Sequence, residues 1–136
     1  MLVNCVAYEK GKRVADISVS EIGDYLRRPD GFVWVAIKDP EPAELEALQK
    51  EFDLPLLAVE DASHGHQRPK LDEYENCLFV VVQPVEKEAD ELRVGEIAIF
   101  VGDRYVLTVR RGVREGFAGV RRRTEQEPEQ LKQGSA

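Results

Sequence analysis

Between Val59 and Asp72 the chain crowds together two adjacent carboxylates, two imidazoles and two bases: Glu60-Asp61, His64-Gly-His66 and Arg68-Pro-Lys70. Neighbouring carboxylates with no base beside them suit a hard divalent cation such as magnesium, which binds through one or two carboxylates and keeps much of its water. They equally suit an exposed polar helix end, and spacing alone favours that plainer reading. His64 and His66 have chelate spacing for a borderline ion such as zinc. They are the only two histidines, and Cys5 and Cys77 sit inside apolar strand patterns. A structural role, with one imidazole bonding the loop backbone, is therefore expected. In Gln67-Arg-Pro-Lys70, Pro69 fixes its own φ and biases Arg68 towards extended backbone, which aims the following strand. Arg68 is then placed to pair with Glu60, Asp61 or Asp72. A tight all-protein metal cage is not encoded.

The elements that must position these groups read as follows. Leu2–Tyr8 and Arg13–Val19 form a hairpin across Glu9-Lys-Gly-Lys12, and Ser20 caps a short helix carrying Ile22, Tyr25 and Leu26. Phe32–Ile37 is an apolar run, the mark of a strand covered on both faces. Asp39-Pro-Glu-Pro42 opens a helix with Leu45, Leu48 and Phe52 on one stripe. Pro55 starts a second helix reaching Asp61, whose buried side is expected to be Leu56, Leu57 and Val59. Glu60 and Asp61 then fall near a helix C-terminus, where the dipole disfavours anions by a few tenths to about 1 kcal/mol. Something must offset that. Lys70–Glu75 leads into the apolar strand Cys77–Val82, and Gln83–Glu91 reads as a charged connection. Leu92–Val101 and Tyr105–Val109 pair through Gly102-Asp-Arg104, and Val113, Phe117 and Val120 mark a last helix. The fold class that follows is α/β (α+β), a mixed parallel and antiparallel sheet with helices packed on its faces. Residues 1–124 form the domain and 125–136 a polar tail.

Composition narrows the function. The chain has 136 residues and a formal net charge of −7, the size of one soluble domain. No apolar run approaches the ~18 residues of a membrane span, and no signal peptide is legible, so a cytosolic-type domain is expected. From Asp39 to Asp61 eight acids face one base, Lys50, whereas Thr108–Arg123 holds six arginines and one acid, Glu115. The overall charge disfavours nucleic acid. No GxSxG, HExxH, Gly-rich phosphate loop or CxxC is present, so the chain is not expected to be an enzyme.

Glu60-Asp61, His66-Gln-Arg-Pro-Lys70 and Asp72-Glu-Tyr-Glu-Asn76 running into an apolar strand together resemble the cytoplasmic N-terminal domain of the CorA magnesium transporters. The strand Phe32–Ile37, Glu51-Phe-Asp-Leu-Pro55, the hairpin Ile97–Arg111 and the basic segment Val113–Arg123 extend the resemblance over most of the chain. It implies a regulatory domain at the cytoplasmic face of the membrane, in a homopentameric magnesium and cobalt channel. Glu60 and Asp61 would belong to a sensor site shared between neighbouring subunits, where weakly held, largely hydrated Mg2+, or Co2+, keeps the channel closed. The stalk, the membrane helices and the Gly-Met-Asn pore motif would follow Ala136, so the resemblance implies a chain truncated before them. Two other readings stay open: a related zinc transporter using His64 and His66, and a stand-alone adaptor that keeps the fold and binds a protein partner.

Overall fold

The computed structural model describes residues 1–113 and 118–132. Among these residues nine strands form: β1 Leu2–Glu9, β2 Lys12–Asp16, β3 Gly31–Lys38, β4 Lys70–Glu73, β5 Leu78–Val82, β6 Val85–Glu88, β7 Glu91–Val94, β8 Glu96–Val101 and β9 Tyr105–Arg111. Seven make one sheet in the order β2-β1-β3-β9-β8-β5-β4, and β6 and β7 pair separately. β3 and β9 run parallel and every other pair is antiparallel. This is the mixed sheet that the hairpins and intervening helices led us to expect.

Side-chain alternation divides the sheet into two faces. Cys5, Ala7, Val33, Val35, Ile37, Phe79, Val81, Ala98, Phe100, Leu107 and Val109 share one face and the main core. The helices α1 Ile22–Leu26, α2 Pro42–Phe52 and α3 Leu56–His64 lie over it, contributing Ile22, Leu45, Leu48, Phe52, Ala58 and Ala62. On the other face Val6, Tyr8 and Phe32 pack with Trp34 and Val106. There α4, Ala118–Glu125, is tied to β1 by the Tyr8 hydroxyl, which donates to Glu125 Oε1 at 2.7 Å. A single turn, α5 Pro128–Leu131, follows. Its Pro128 carbonyl sits where a Cβ on Gly11 would be, 2.3 Å away, and Gly11 has a φ of +79°, so this hairpin turn needs glycine twice over.

Local chemistry accounts for α2. Pro42 occupies its first turn, Glu44 Oε1 accepts the Glu41 N–H at 2.9 Å, and Leu45, Leu48 and Phe52 are buried as their spacing requires. Asp53 ends it in the left-handed region at φ 52° and ψ 52°, a backbone position that Asp tolerates better than most residues. Cys5 and Cys77 are free and buried.

Three readings of the sequence need correction. Leu56 and Leu57 are 72% and 67% exposed; α3 enters the main core through Ala58 and Ala62, with Val59 partly buried. On this short helix the buried positions are 58 and 62, four residues apart, and the adjacent Leu56 and Leu57 lie off that face. Gln83–Glu91 is not a simple connection, since β6 lies within it and pairs with β7. Lastly, Val113 is buried before α4 begins, and Phe117 lies outside the described residues.

Candidate functional site

α3 presents Glu60 and Asp61 on its last turns. Pro55 is its N-cap and Gly65, at φ 71°, ends it. With Ala58 and Ala62 in the core, position 60 is exposed and position 61 half-buried. The two acids, adjacent in sequence, therefore meet different surroundings.

Asp61 is matched from within the chain. Lys70, the first residue of β4, places its ammonium 2.7 Å from Asp61 Oδ2 and 2.9 Å from Asp72 Oδ2. The same Nζ lies 5.6 Å from the centre of the Phe79 ring. The hydrogen bond to Asp61 and then that to Asp72 hold the Lys70 ammonium well above the usual lysine range. The three side chains are 30 to 39% exposed, so water screens the cluster and its net contribution to stability is modest. Lys70 supplies the offset that an acid beside a helix C-terminus requires, at the place we had expected Arg68 to fill; Arg68 itself is exposed. Glu60 is in no ion pair among the described residues.

The histidines flank a cleft of about 500 Å³ at the end of α3, lined also by Gln83, Glu96 and Arg111. His64 Nδ1 lies 2.8 Å from the Glu60 carbonyl, the backbone role expected of one imidazole, and in the tautomer that donates there Nε2 is left facing outward. His66 is exposed and has a φ of 56°. The loop that carries them is clamped from three sides. Glu96 Oε1 accepts the Gln67 N–H at 2.7 Å, Gln83 Nε2 donates to the Gln67 carbonyl at 2.7 Å, and Arg111 Nε donates to the Ala62 carbonyl at 3.0 Å. None of these three residues was legible as part of the site. Glu96 and Arg111 are opposite one another on β8 and β9, and only the register of that pairing brings both under the loop.

Among the described residues no three His, Cys, Asp or Glu side chains converge to hold a metal ion. Among the outward donors, Glu60 and the acids of the Asp61–Lys70–Asp72 cluster are hard oxygens that suit a hydrated divalent cation, and the exposed imidazoles of His64 and His66 are the nitrogen donors nearby. The described residues also contain no helix long and apolar enough to cross a membrane.

Comparison with known proteins agrees with this architecture. The structure of full-length CmaX superimposes with a TM-score of 0.69 over 98% of this chain and 40% of that one, at 17% identity. The soluble domain of CorA from Methanocaldococcus jannaschii gives 0.63 over 98% of this chain and 52% of that one, at 14% identity. These likenesses show the fold. In sequence, the chain is 36% identical over 110 residues to the putative metal ion transporter YfjQ of Bacillus subtilis (strain 168), which covers 80% of this chain. The chain spans 34% of that relative's length. The model of the family described as CorA-like Mg2+ transporter protein matches residues 29–136. The matching family is one of transporters, not a class of enzymes, and the chain belongs to that family, the CorA-like Mg2+ transporters.

Proposed function

We propose that this chain is the cytoplasmic regulatory domain of a divalent-cation transporter for magnesium, and for cobalt, and that Glu60 and Asp61 supply one side of a cation-sensing site between neighbouring subunits of a homo-oligomer, a pentamer by the family resemblance. In this reading residues 1–124 are the domain body, and 125–136 lead towards a stalk that carries the acids of the other side. The observation that carries it is the state of Glu60. It is an exposed carboxylate at a helix end that disfavours anions, with no cation paired to it among the described residues and no third ligand beside it. A charge so placed gains by meeting a cation together with another acidic surface.

The mechanism is electrostatic. Two carboxylates facing each other across an interface at about 4 Å repel by roughly 1 kcal/mol in water and about 4 kcal/mol at a partly dehydrated surface. A hydrated divalent ion between them reverses the sign of that interaction. Repeated around a ring, such differences suffice to bias a closed assembly against a looser one, because an ion shifts an equilibrium by its differential affinity for the two states. The body of the domain supports the acids: Ala58 and Ala62 anchor α3 in the core, and the Glu96, Gln83 and Arg111 clamp sets its exit.

The test is ion flux in the transporter containing this domain, measured against rising internal magnesium. Glu60→Gln with Asp61→Asn is expected to raise the magnesium concentration needed for half-closure severalfold. An unchanged closing curve, with the protein correctly assembled, would sink the assignment.

A further inference from the structure

Asp61 and Asp72 come from different elements, α3 and the edge strand β4, yet both address one point. That point is held by Lys70 Nζ, at 2.7 and 2.9 Å from their oxygens. A magnesium or calcium ion meets carboxylate oxygens at about 2.0 to 2.6 Å and completes its shell with water. Shifts of a few tenths of an ångström for calcium, and of about 0.6 to 0.9 Å for magnesium, would bring the same two oxygens to a hydrated divalent ion. Water can reach the point, because each of the three side chains is about a third exposed and β4 has no strand beyond it. The ammonium also lies over the Phe79 ring, 5.6 Å from its centre.

We propose that Lys70 is a built-in counter-ion that competes with the divalent cation for Asp61 and so sets the concentration at which the sensor responds. This rests on the assignment of Glu60 and Asp61 as sensor acids and adds a regulatory element to it. With the ammonium in place, Asp61 is neutralised and α3 is tied to β4 without metal. A divalent ion taken by Asp61 and Asp72 must displace the ammonium, which turns to solvent. Apparent affinity is lowered by the fraction of time the lysine holds the site, and further by repulsion between the ammonium and the incoming ion. Glu60 has no such internal cation and can engage an ion first, which gives the adjacent acids unequal roles. A monovalent cation fixed about 5 Å from a divalent one in water alters affinity by about tenfold.

The experiment is calorimetric titration of the 136-residue chain with Mg2+ and with Co2+, for the parent, Lys70→Met, Lys70→Arg and Lys70→Met/Asp61→Asn. Methionine keeps an apolar stem and removes the charge; circular dichroism checks the fold, and Lys70→Gln replaces it if folding suffers. The expected result is binding at least tenfold tighter in Lys70→Met, parent-like binding in Lys70→Arg, and loss of the gain when Asp61→Asn is added. A parent that binds measurably and a Lys70→Met variant that binds no tighter would overturn the competition while leaving the sensor assignment standing. A gain that survives Asp61→Asn would overturn it too, because the ion would then be held elsewhere. No binding by any variant at millimolar ion, Lys70→Met included, would overturn the competition and leave the sensor assignment to the flux measurement, because the acids of the other side are not in this chain.

Discussion

Substitution of Leu56 and Leu57 by serine separates two accounts of how α3 sits. If these leucines faced the core, each substitution would remove a buried side chain and leave a cavity, at about 2 to 5 kcal/mol. In the structure Leu56 is 72% exposed and Leu57 67% exposed. Less than a third of each is withdrawn from water. Since full burial of a leucine is worth ~1.5 to 3 kcal/mol, each serine should cost under about 1 kcal/mol, with no cavity term. Leu54, only 2% exposed and two residues earlier, supplies the internal standard, and Leu54→Ala should cost about 2 to 5 kcal/mol. Urea unfolding followed by circular dichroism resolves the difference. For a slope of about 2 kcal/mol/M, Leu54→Ala should lower the midpoint by more than about 1 M, and each serine variant by under about 0.5 M. A Leu56→Ser midpoint as low as that of Leu54→Ala would refute the placement of α3, and with it the outward presentation of Glu60.

Further outcomes follow from the same geometry. Burial, then the charges of Glu21 and Asp16, raises the Cys5 thiol from 9.0 to about 11. Folding thus favours the protonated thiol, and this contribution is complete below pH 9 and lost as pH rises from 9 towards 11. Denaturation midpoints across that window should fall less steeply for Cys5→Ala than for the parent, and equal slopes would contradict the assignment. Glu96→Ala strips the Gln67 N–H of its acceptor and should cost about 1 to 3 kcal/mol, with faster hydrogen exchange at the Gln67 amide; unchanged exchange would mean the clamp is not needed. Asp53→Gly relieves the left-handed position at the end of α2 and should leave stability unchanged or raise it by up to about 1 kcal/mol, read as a higher melting temperature. A clear fall would contradict it.

Periodicity located most elements of this fold, because the period of an apolar pattern is a local property: Leu45, Leu48 and Phe52 declare their own helix face whatever lies opposite. Hairpin turns were legible for the same reason. What failed was the part that depends on a partner surface. Leu56 and Leu57 are apolar, and in isolation that argues for burial; the buried positions of α3 are instead Ala58 and Ala62, because the way the helix docks, and not its own sequence, sets which face meets the core. β6 was hidden in a charged stretch, and β7 was read as the start of one strand Leu92–Val101 that breaks at Gly95; the two pair with each other and satisfy backbone groups without a core.

The candidate site divides along the same line. The amino-acid sequence by itself determined that two acids end α3 in conflict with its dipole, and that a proline-directed strand carrying Lys70 and Asp72 follows within a few residues. It also held enough of the family pattern for the fold class to be recognised. Only the tertiary structure decided which base answers Asp61, since β4 had to be placed on the sheet edge before Lys70 could reach across to α3. It alone brought Glu96, Gln83 and Arg111 under the intervening loop, through a strand register that no local pattern encodes. The physical reason is common to both: helix and turn chemistry act between neighbours in sequence, whereas an ion pair or a clamp requires the closure of a long loop by packing elsewhere in the molecule.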